Sequence, residues 1–185
     1  AEKVERVYLA YVPNDPLYSS TYNSVNCNWH LDKINAAAAW DITKGSASVR
    51  VAIVDNAIYI NHPDLINKVV AQKDKGDNDN DPSPPTTGTL LEQYNNSHGT
   101  HTSGLACAQS DNNVGVASIG YNTSLVACKV GKNRNMNDLD AFYYGVQWAA
   151  DPDSGNANVI NMSVTSTSFG TATQDLLTSI YNAGI

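Results

Sequence analysis

A histidine set among small residues is the feature of this sequence best suited to chemistry. His98 lies in the run Ser97-His98-Gly99-Thr100-His101-Thr102-Ser103-Gly104, whose small side chains let the backbone pack tightly and hold the imidazole at the start of a helix. Upstream, the apolar run Val51-Ala52-Ile53-Val54 ends in Asp55. A lone histidine is more often structural, but a carboxylate can orient an imidazole and stabilise its charged form. The pair therefore predicts proton transfer.

The charged residues favour cations over polyanions as ligands. The formal net charge is -7, and the acidic residues concentrate between Asp74 and Asp81. A nucleic-acid partner needs clustered Lys and Arg, which the sequence does not contain. No apolar run approaches the roughly 20 residues that cross a bilayer. The N-terminus lacks the pattern of a signal peptide, so we expect that any export signal has already been removed.

The cysteines point to no metal site. Cys27, Cys107 and Cys128 are an odd number and fit no metal-ligand spacing. Cys107 and Cys128 lie in apolar stretches and are expected to be buried small hydrophobic residues. A disulfide from Cys27 to a partner outside this chain is left open.

The elements needed to position Asp55 and His98 follow from hydrophobic patterning. The first segment, 1–28, is rich in Tyr, Asn and Pro and predicts an extended lead-in. Residues 29–40 fit a short amphipathic helix, and 49–54 fit a buried strand. Val69 and Val70 suggest a second strand, residues 77–85 a surface loop, and a helix is expected from His98 to about Ala108.

The second half of the chain continues the alternation. Strands are predicted at 125–130 and 159–163, and helices around 139–149, with Asn137 or Asp138 as N-cap, and around 176–181, ended by Gly184. Alternating strands and helices predict an α/β fold: a doubly wound, mainly parallel sheet flanked by helices. In such sheets, sites form at the carboxyl ends of strands, where Asp55 and Ser163 both fall. We expect residues 1–185 to be one portion of a single domain, because Ile185 stands where a further strand should begin.

The sequence resembles the subtilisin-like serine peptidases over nearly its whole length. The histidine motif is His98-Gly99-Thr100-His101, and the strand 51–55 is similar to the one that delivers the family's aspartate. The segments 62–65 (His-Pro-Asp-Leu) and 159–163 also match, in the expected order. The lead-in, with Pro13-Asn14-Asp15-Pro16, resembles the thermitase branch.

The resemblance implies a mechanism. His98 would take a proton from a serine hydroxyl and pass it to the leaving amine, while Asp55 would hold the ring. The substrate would lie as an added strand between a segment with Gly131 and Asn135 and the segment Ser163-Val164-Thr165. Neither the family's serine motif nor its oxyanion asparagine is present in the sequence. We therefore expect a C-terminal fragment of the same protease to supply both, and this chain alone to be inactive.

The sequence departs from the family pattern at three places. Asn56-Ala57 stands where Ser or Thr and then Gly are usual, which is either a tolerated variant or the mark of a decayed site. Thr165 replaces a usual Gly, so large P1 side chains are expected to fit poorly. The Gly-rich edge is replaced by residues 131–137, which leaves the outer subsites without a prediction.

The resemblance also implies structural calcium, which prefers several oxygen ligands. A first site would take side chains of Asp15, Asp64 and Asn112 with carbonyls of Gln109, Val114 and Val116. A second would take Asp74, Asp77, Asp79 and Asp81. The alternatives are a solvated N-terminal turn for the first set and a solvated charged loop for the second.

The resemblance therefore implies a secreted, calcium-stabilised serine endopeptidase that hydrolyses peptides or proteins. One alternative is a pseudo-peptidase, a binding scaffold with a subtilisin-like cleft, which the Asn56-Ala57 step favours. The other is an α/β ligand-binding domain with chance motifs, which would have to explain four family motifs in the right order.

Overall fold

The computed structural model describes residues 11–89, 96–132, 138–165 and 170–185. Its helices are α1 (Trp29–Lys33), α2 (Ala36–Ile42), α3 (His98–Cys107), α4 (Leu139–Ala150) and α5 (Thr171–Asn182). Its strands are β1 (Thr21–Tyr22), β2 (Val25–Asn26), β3 (Arg50–Asp55), β4 (Val69–Asp74), β5 (Ser124–Lys129) and β6 (Val159–Asn161).

Four strands form one parallel sheet in the order β4-β5-β3-β6. The predicted fold class is confirmed, because helices cover both faces of this sheet. Every residue of β5 is buried, as expected for a central strand of a parallel sheet with both faces covered.

Alternation along the strands separates two cores. Val54 of β3 and Val126 of β5 pack under α4 and α5. Ile53 of β3 and Leu125 of β5 pack on the other face, with Cys107 of α3. Since side chains alternate between the two faces with period two, Asp55 points to the same face as Ile53, toward α3.

The sequence predicted an extended lead-in, but the described part of this segment is not simply extended. It contains a turn at residues 16–19 and a short antiparallel hairpin of β1 and β2. Asn23 and Ser24 form the hairpin turn with φ of +48° and +65°, the backbone of the two-residue turns that match strand twist. A third core of Tyr18, Leu31 and Trp40, with Tyr121, joins the lead-in to the domain.

Two element boundaries also differ from prediction. The single helix expected over 29–40 is two helices, because Asn35 adopts a left-handed conformation with φ of +56°. The last strand ends at Asn161 rather than at Ser163. The predicted cap is confirmed, since the carboxylate of Asp138 accepts hydrogen bonds from Asp140 N and Ala141 N. Among the residues described, no helix has both the length and the apolar character needed to span a membrane.

Candidate active site

The carboxylate of Asp55 is delivered by the end of β3 into a buried position. The residue is 1% exposed. Its Oδ1 accepts a hydrogen bond from Asn56 N at 2.7 Å, and its Oδ2 accepts one from the hydroxyl of Thr102 at 3.1 Å. Because a buried polar group is stable only when it is hydrogen-bonded, these donors satisfy the carboxylate and fix the orientation of Asp55.

The imidazole of His98 is delivered by the first residue of α3. The next residue, Gly99, lets the helix approach the strand: a Cβ there would lie 2.8 Å from Cβ of Asp55 and closer still to the carbonyl oxygen of Ala57. A side chain at this position would therefore force the helix away from the end of β3. The glycine requirement comes from close approach rather than from unusual backbone angles.

Asp55 and His98 contact each other directly. Nδ1 of His98 lies 2.8 Å from Oδ1 and 3.0 Å from Oδ2 of Asp55. The side chain of His98 is 50% exposed, against 1% for Asp55. A buried carboxylate thus holds one ring nitrogen, while the ring reaches the surface where it can exchange a proton with another molecule. This is the arrangement of an oriented general base.

A family model provides the comparison that matters most. The model described as the subtilase family matches residues 46–184, a span that contains both Asp55 and His98. The chain belongs to the subtilase family.

Individual relatives agree with this assignment. Thermitase of Thermoactinomyces vulgaris is 36% identical over 174 residues, which are 94% of this chain and 55% of thermitase. The halolysin-like extracellular serine protease Nep of Natrialba magadii is 30% identical over 158 residues, 83% of this chain and 26% of Nep. A solved structure of proteases from Pseudoalteromonas arctica matches with a TM-score of 0.76 and 26% identity, over 94% of this chain and 57% of that one. The subtilase chain therefore spans about half the length, or less, of these relatives.

The predicted substrate-binding residues flank the end of β3. Gly131 follows β5 and the segment Ser163-Val164-Thr165 follows β6, and these two strands are the neighbours of β3 on either side. Gly131 is buried, whereas Ser163 and Thr165 are exposed, and Asn161 Nδ2 donates to Ser163 Oγ at 2.9 Å. Asn135 lies outside the described residues. The order of the strands therefore places the two predicted substrate-binding segments on either side of Asp55.

The first predicted calcium set is brought together by the loop after α3. Asp15 and Asp64 are each 2% exposed. Asp15 accepts from the backbone of Asp111 at 2.8 Å and of Asn112 at 3.3 Å. Asp64 accepts from Asn112 Nδ2 at 3.1 Å and Val116 N at 3.0 Å.

The remaining members of the set lie around the same loop. Gln109 N donates to the carbonyl of Asp64 at 2.8 Å, and Val114 N to Asn112 Oδ1 at 2.8 Å. Neither Asp15 nor Asp64 has an ion pair among the described residues. Two buried carboxylates joined through the side chain and backbone of Asn112 suit a hard cation. In the described part of the chain no group of three or more Asp, Glu, His or Cys side chains is found.

Two carboxylates of the second predicted calcium set form ion pairs with a lysine. Nζ of Lys129 lies 2.6 Å from Oδ2 of Asp74 and 2.5 Å from Oδ2 of Asp77. Asp79 and Asp81 instead accept from the backbone N–H two residues on, at 2.8 Å and 3.0 Å. Burial alone would lower the pKa of Lys129, but its hydrogen bonds to Asp74 and Asp77 outweigh burial and raise that pKa. An ammonium therefore already compensates the charge of this loop, and the residues do not fit a calcium ion as well as the first set does.

The sequence analysis missed Thr102 and Lys129. Thr102 is at i+4 from His98, so it shares the histidine's face of the helix, and this spacing is the signal that could have found it. Lys129 ends a strand that is otherwise apolar apart from Ser124, and a charged side chain in such a strand has to find a counter-ion.

Proposed function

We propose that this subtilase chain is the N-terminal part of a serine endopeptidase, in which Asp55 and His98 act with a serine from the C-terminal part of the same protein. The single observation that carries the proposal is the hydrogen bond from Nδ1 of the half-exposed His98 to the buried carboxylate of Asp55. The histidine and carboxylate of a serine-protease triad stand in this relation.

The proposed mechanism gives each group one role. The serine hydroxyl attacks the carbonyl carbon of the scissile peptide, and Nε2 of His98 takes its proton. The imidazolium, stabilised by Asp55, then protonates the leaving amine as the C–N bond breaks. Water then attacks the acyl carbon while His98 takes its proton. The bond to the serine oxygen breaks, His98 returns the proton to that oxygen, and the carboxylic acid leaves. An asparagine of the C-terminal part would stabilise the oxyanion.

Uncovered apolar surface supports a completing part. β6 is an edge strand of the described sheet, and its Val159 is 51% exposed. Helix α5 buries none of its residues, and Leu176, Leu177 and Ile180 are only partly covered by the core. An exposed strand edge beside apolar side chains is a surface that proteins normally cover. We propose that the C-terminal part, continuous or as a companion fragment, packs at β6 and α5.

The substrate would be an extended peptide or protein segment. Residues 131 and 163–165 follow the strands on either side of β3, so a chain laid between them passes the end of β3 where Asp55 meets His98. Backbone pairing with an added strand is a common mode of peptide binding. Thr165, in place of a smaller residue, would narrow the pocket for the residue before the scissile bond.

Structural calcium is proposed for the first set only. The carboxylates of Asp15 and Asp64 with Asn112, and carbonyls of Gln109, Val114 and Val116, would hold the ion. It would neutralise two buried charges and tie the lead-in to the loop after α3. We also propose that the protein is secreted, since the relative Nep is named an extracellular protease.

A pseudo-peptidase is the competing proposal, and the Asn56-Ala57 step is what favoured it. Ala57 is 1% exposed, and its φ is not positive, so the methyl group at this position causes no backbone strain. Asn56 makes hydrogen bonds to both Asp55 and Gly99. These contacts favour the endopeptidase.

Hydrolysis of a labelled casein by the whole protein, both parts present, tests the proposal. His98→Ala and Asp55→Asn are expected to lower kcat by about 10⁴-fold, as loss of such groups does in serine proteases. His30→Gln, at a histidine of α1, is the matched control and should leave kcat unchanged. Wild-type protein that binds casein without cleaving it would instead establish the pseudo-peptidase.

A further inference from the structure

Asn56 connects the end of β3 to the start of α3. Its side-chain Oδ1 accepts hydrogen bonds from Gly99 N at 3.0 Å and from Ala57 N at 2.6 Å. Gly99 is buried, so its N–H has to find a partner within the protein.

This contact satisfies an N–H at the start of the histidine helix. The first turn of any helix leaves backbone N–H groups without intrahelical acceptors, and a side chain at the N-cap usually accepts from one of them. Ser97, the N-cap of α3, makes no capping hydrogen bond with its side chain. Asn56 supplies that acceptor from a neighbouring element.

The backbone of Asn56 reaches the other two parts of the site. Its N–H donates to Oδ1 of Asp55 at 2.7 Å, and its carbonyl accepts from Gly131 N at 3.2 Å. A Cβ at Gly131 would lie 2.5 Å from that carbonyl oxygen. One residue thus touches the carboxylate, the histidine helix and the first residue of the predicted substrate edge.

We propose that Asn56 is a positioning residue, whose amide oxygen fixes the N-terminus of α3 and thereby the orientation of His98 against Asp55. The proposal rests on the proposed peptidase function and extends it to a position at which the chain departs from the family pattern. Asn56 acts through His98 and does not itself contact the reacting atoms.

Two substitutions of Asn56 distinguish the effect of its hydrogen-bond acceptor from the effect of its side-chain shape. Asn56→Leu keeps the approximate volume and removes the oxygen, whereas Asn56→Asp keeps an oxygen at the same place. In the whole protein, N56L is expected to lower kcat by about 10²-fold, the effect of displacing a catalytic group by about 1 Å, with KM within about twofold. N56D should retain most of kcat. Asn122→Leu, at an exposed residue in the turn before β5, is the control.

Proton NMR gives a readout that does not depend on activity. The Nδ1–H of His98 is expected to give a downfield resonance in wild type and N56D, and to lose or broaden it in N56L while circular dichroism stays unchanged. If N56L does not fold, Asn56→Ala takes its place with the same expectation.

The proposal is overturned if N56L, or N56A in its place, keeps both kcat and the His98 resonance. A wild-type protein without peptidase activity would contradict the proposed function alone. In that case the resonance in N56L against N56D still decides whether Asn56 positions His98.

Discussion

The hydroxyl of Thr102 donates to Oδ2 of Asp55 at 3.1 Å, from the face of α3 that also carries His98. The same hydroxyl lies 3.1 Å from the carbonyl oxygen of Gly99, one helical turn earlier. The carboxylate of Asp55 therefore accepts hydrogen bonds from α3, the helix that carries His98, and from the backbone N–H of Asn56.

Thr102→Val should destabilise the protein, because it removes a donor from a buried carboxylate without changing the side-chain shape. Hydrogen bonds to charged groups contribute about 1.5–3 kcal/mol. We expect a loss of that size in the free energy of unfolding from denaturant titration, together with a lower kcat/KM. Thr102→Ser keeps the hydroxyl and should recover most of both. Equal stability of the Val and Ser variants would show that the hydrogen bond contributes nothing.

Lys129→Met is expected to be more damaging, because it leaves the carboxylate of Asp74, 1% exposed, without its partner. Removing one member of a buried ion pair costs about 3–5 kcal/mol. Asp77 contributes less, since its side chain is 39% exposed and exposed pairs are screened by water. The double variant Asp74→Asn/Lys129→Met should recover part of the loss. A single variant as stable as wild type in urea would contradict this account.

The same pair predicts a dependence on alkaline pH. The pKa of Lys129 is raised above its ordinary value of 10.5. Its contribution to stability is therefore complete below about pH 10.5 and is lost as pH rises through the raised pKa. Unfolding measured from pH 9 to 12 should show a stability loss in wild type that is smaller in K129M. Parallel curves for the two proteins would contradict the assignment.

Calcium should stabilise the folded protein through Asp15 and Asp64. An ion at 100 times its Kd adds about 2.7 kcal/mol, which shifts Tm by roughly 5 °C or more in a domain of this size. We expect a chelator to lower the wild-type Tm and to have little effect on Asp64→Asn. Asp153→Asn, at an exposed loop residue, should respond as wild type does. A wild-type Tm that ignores both calcium and chelator would contradict the proposed site.

Cys107 and Cys128 should resist thiol reagents while the protein is folded. Both are fully buried, and burial raises the pKa of Cys107 and raises that of Cys128 to about 12. The reactive thiolate is therefore scarce as well as inaccessible. Alkylation at pH 8 followed by peptide mapping should modify neither until denaturant is added. Cys27, half-buried in the lead-in, is the internal reference after mild reduction.

The sheet and its helices could be predicted because their signals are local. Apolar runs such as 51–54 predict buried strands, and Asp138 marks a helix start whose cap is confirmed. The same signals predict the strand that ends in Asp55 and the helix that begins at His98, and the structure brings the two side chains into contact.

The features that could not be predicted depend on contacts distant in sequence or on single dihedral angles. The left-handed Asn35 divides a helix whose hydrophobic period continues across it. Lys129 meets Asp74 only because β4 and β5 are neighbours. The role of Asn56 depends on how closely Gly99 lets α3 approach β3. Neither the dihedral angle nor these contacts can be predicted from the spacing of residue types along the sequence.

Labelling with a fluorophosphonate probe tests the central claim most directly, because the probe reacts with a serine that has been activated as a nucleophile. The whole protein is incubated with the probe in calcium-containing buffer, and the labelled peptide is mapped. The account predicts one labelled serine, outside residues 1–185, and loss of labelling in His98→Ala but not in His30→Gln. Label on a serine within residues 1–185, or no label in a folded, complete protein, would contradict it.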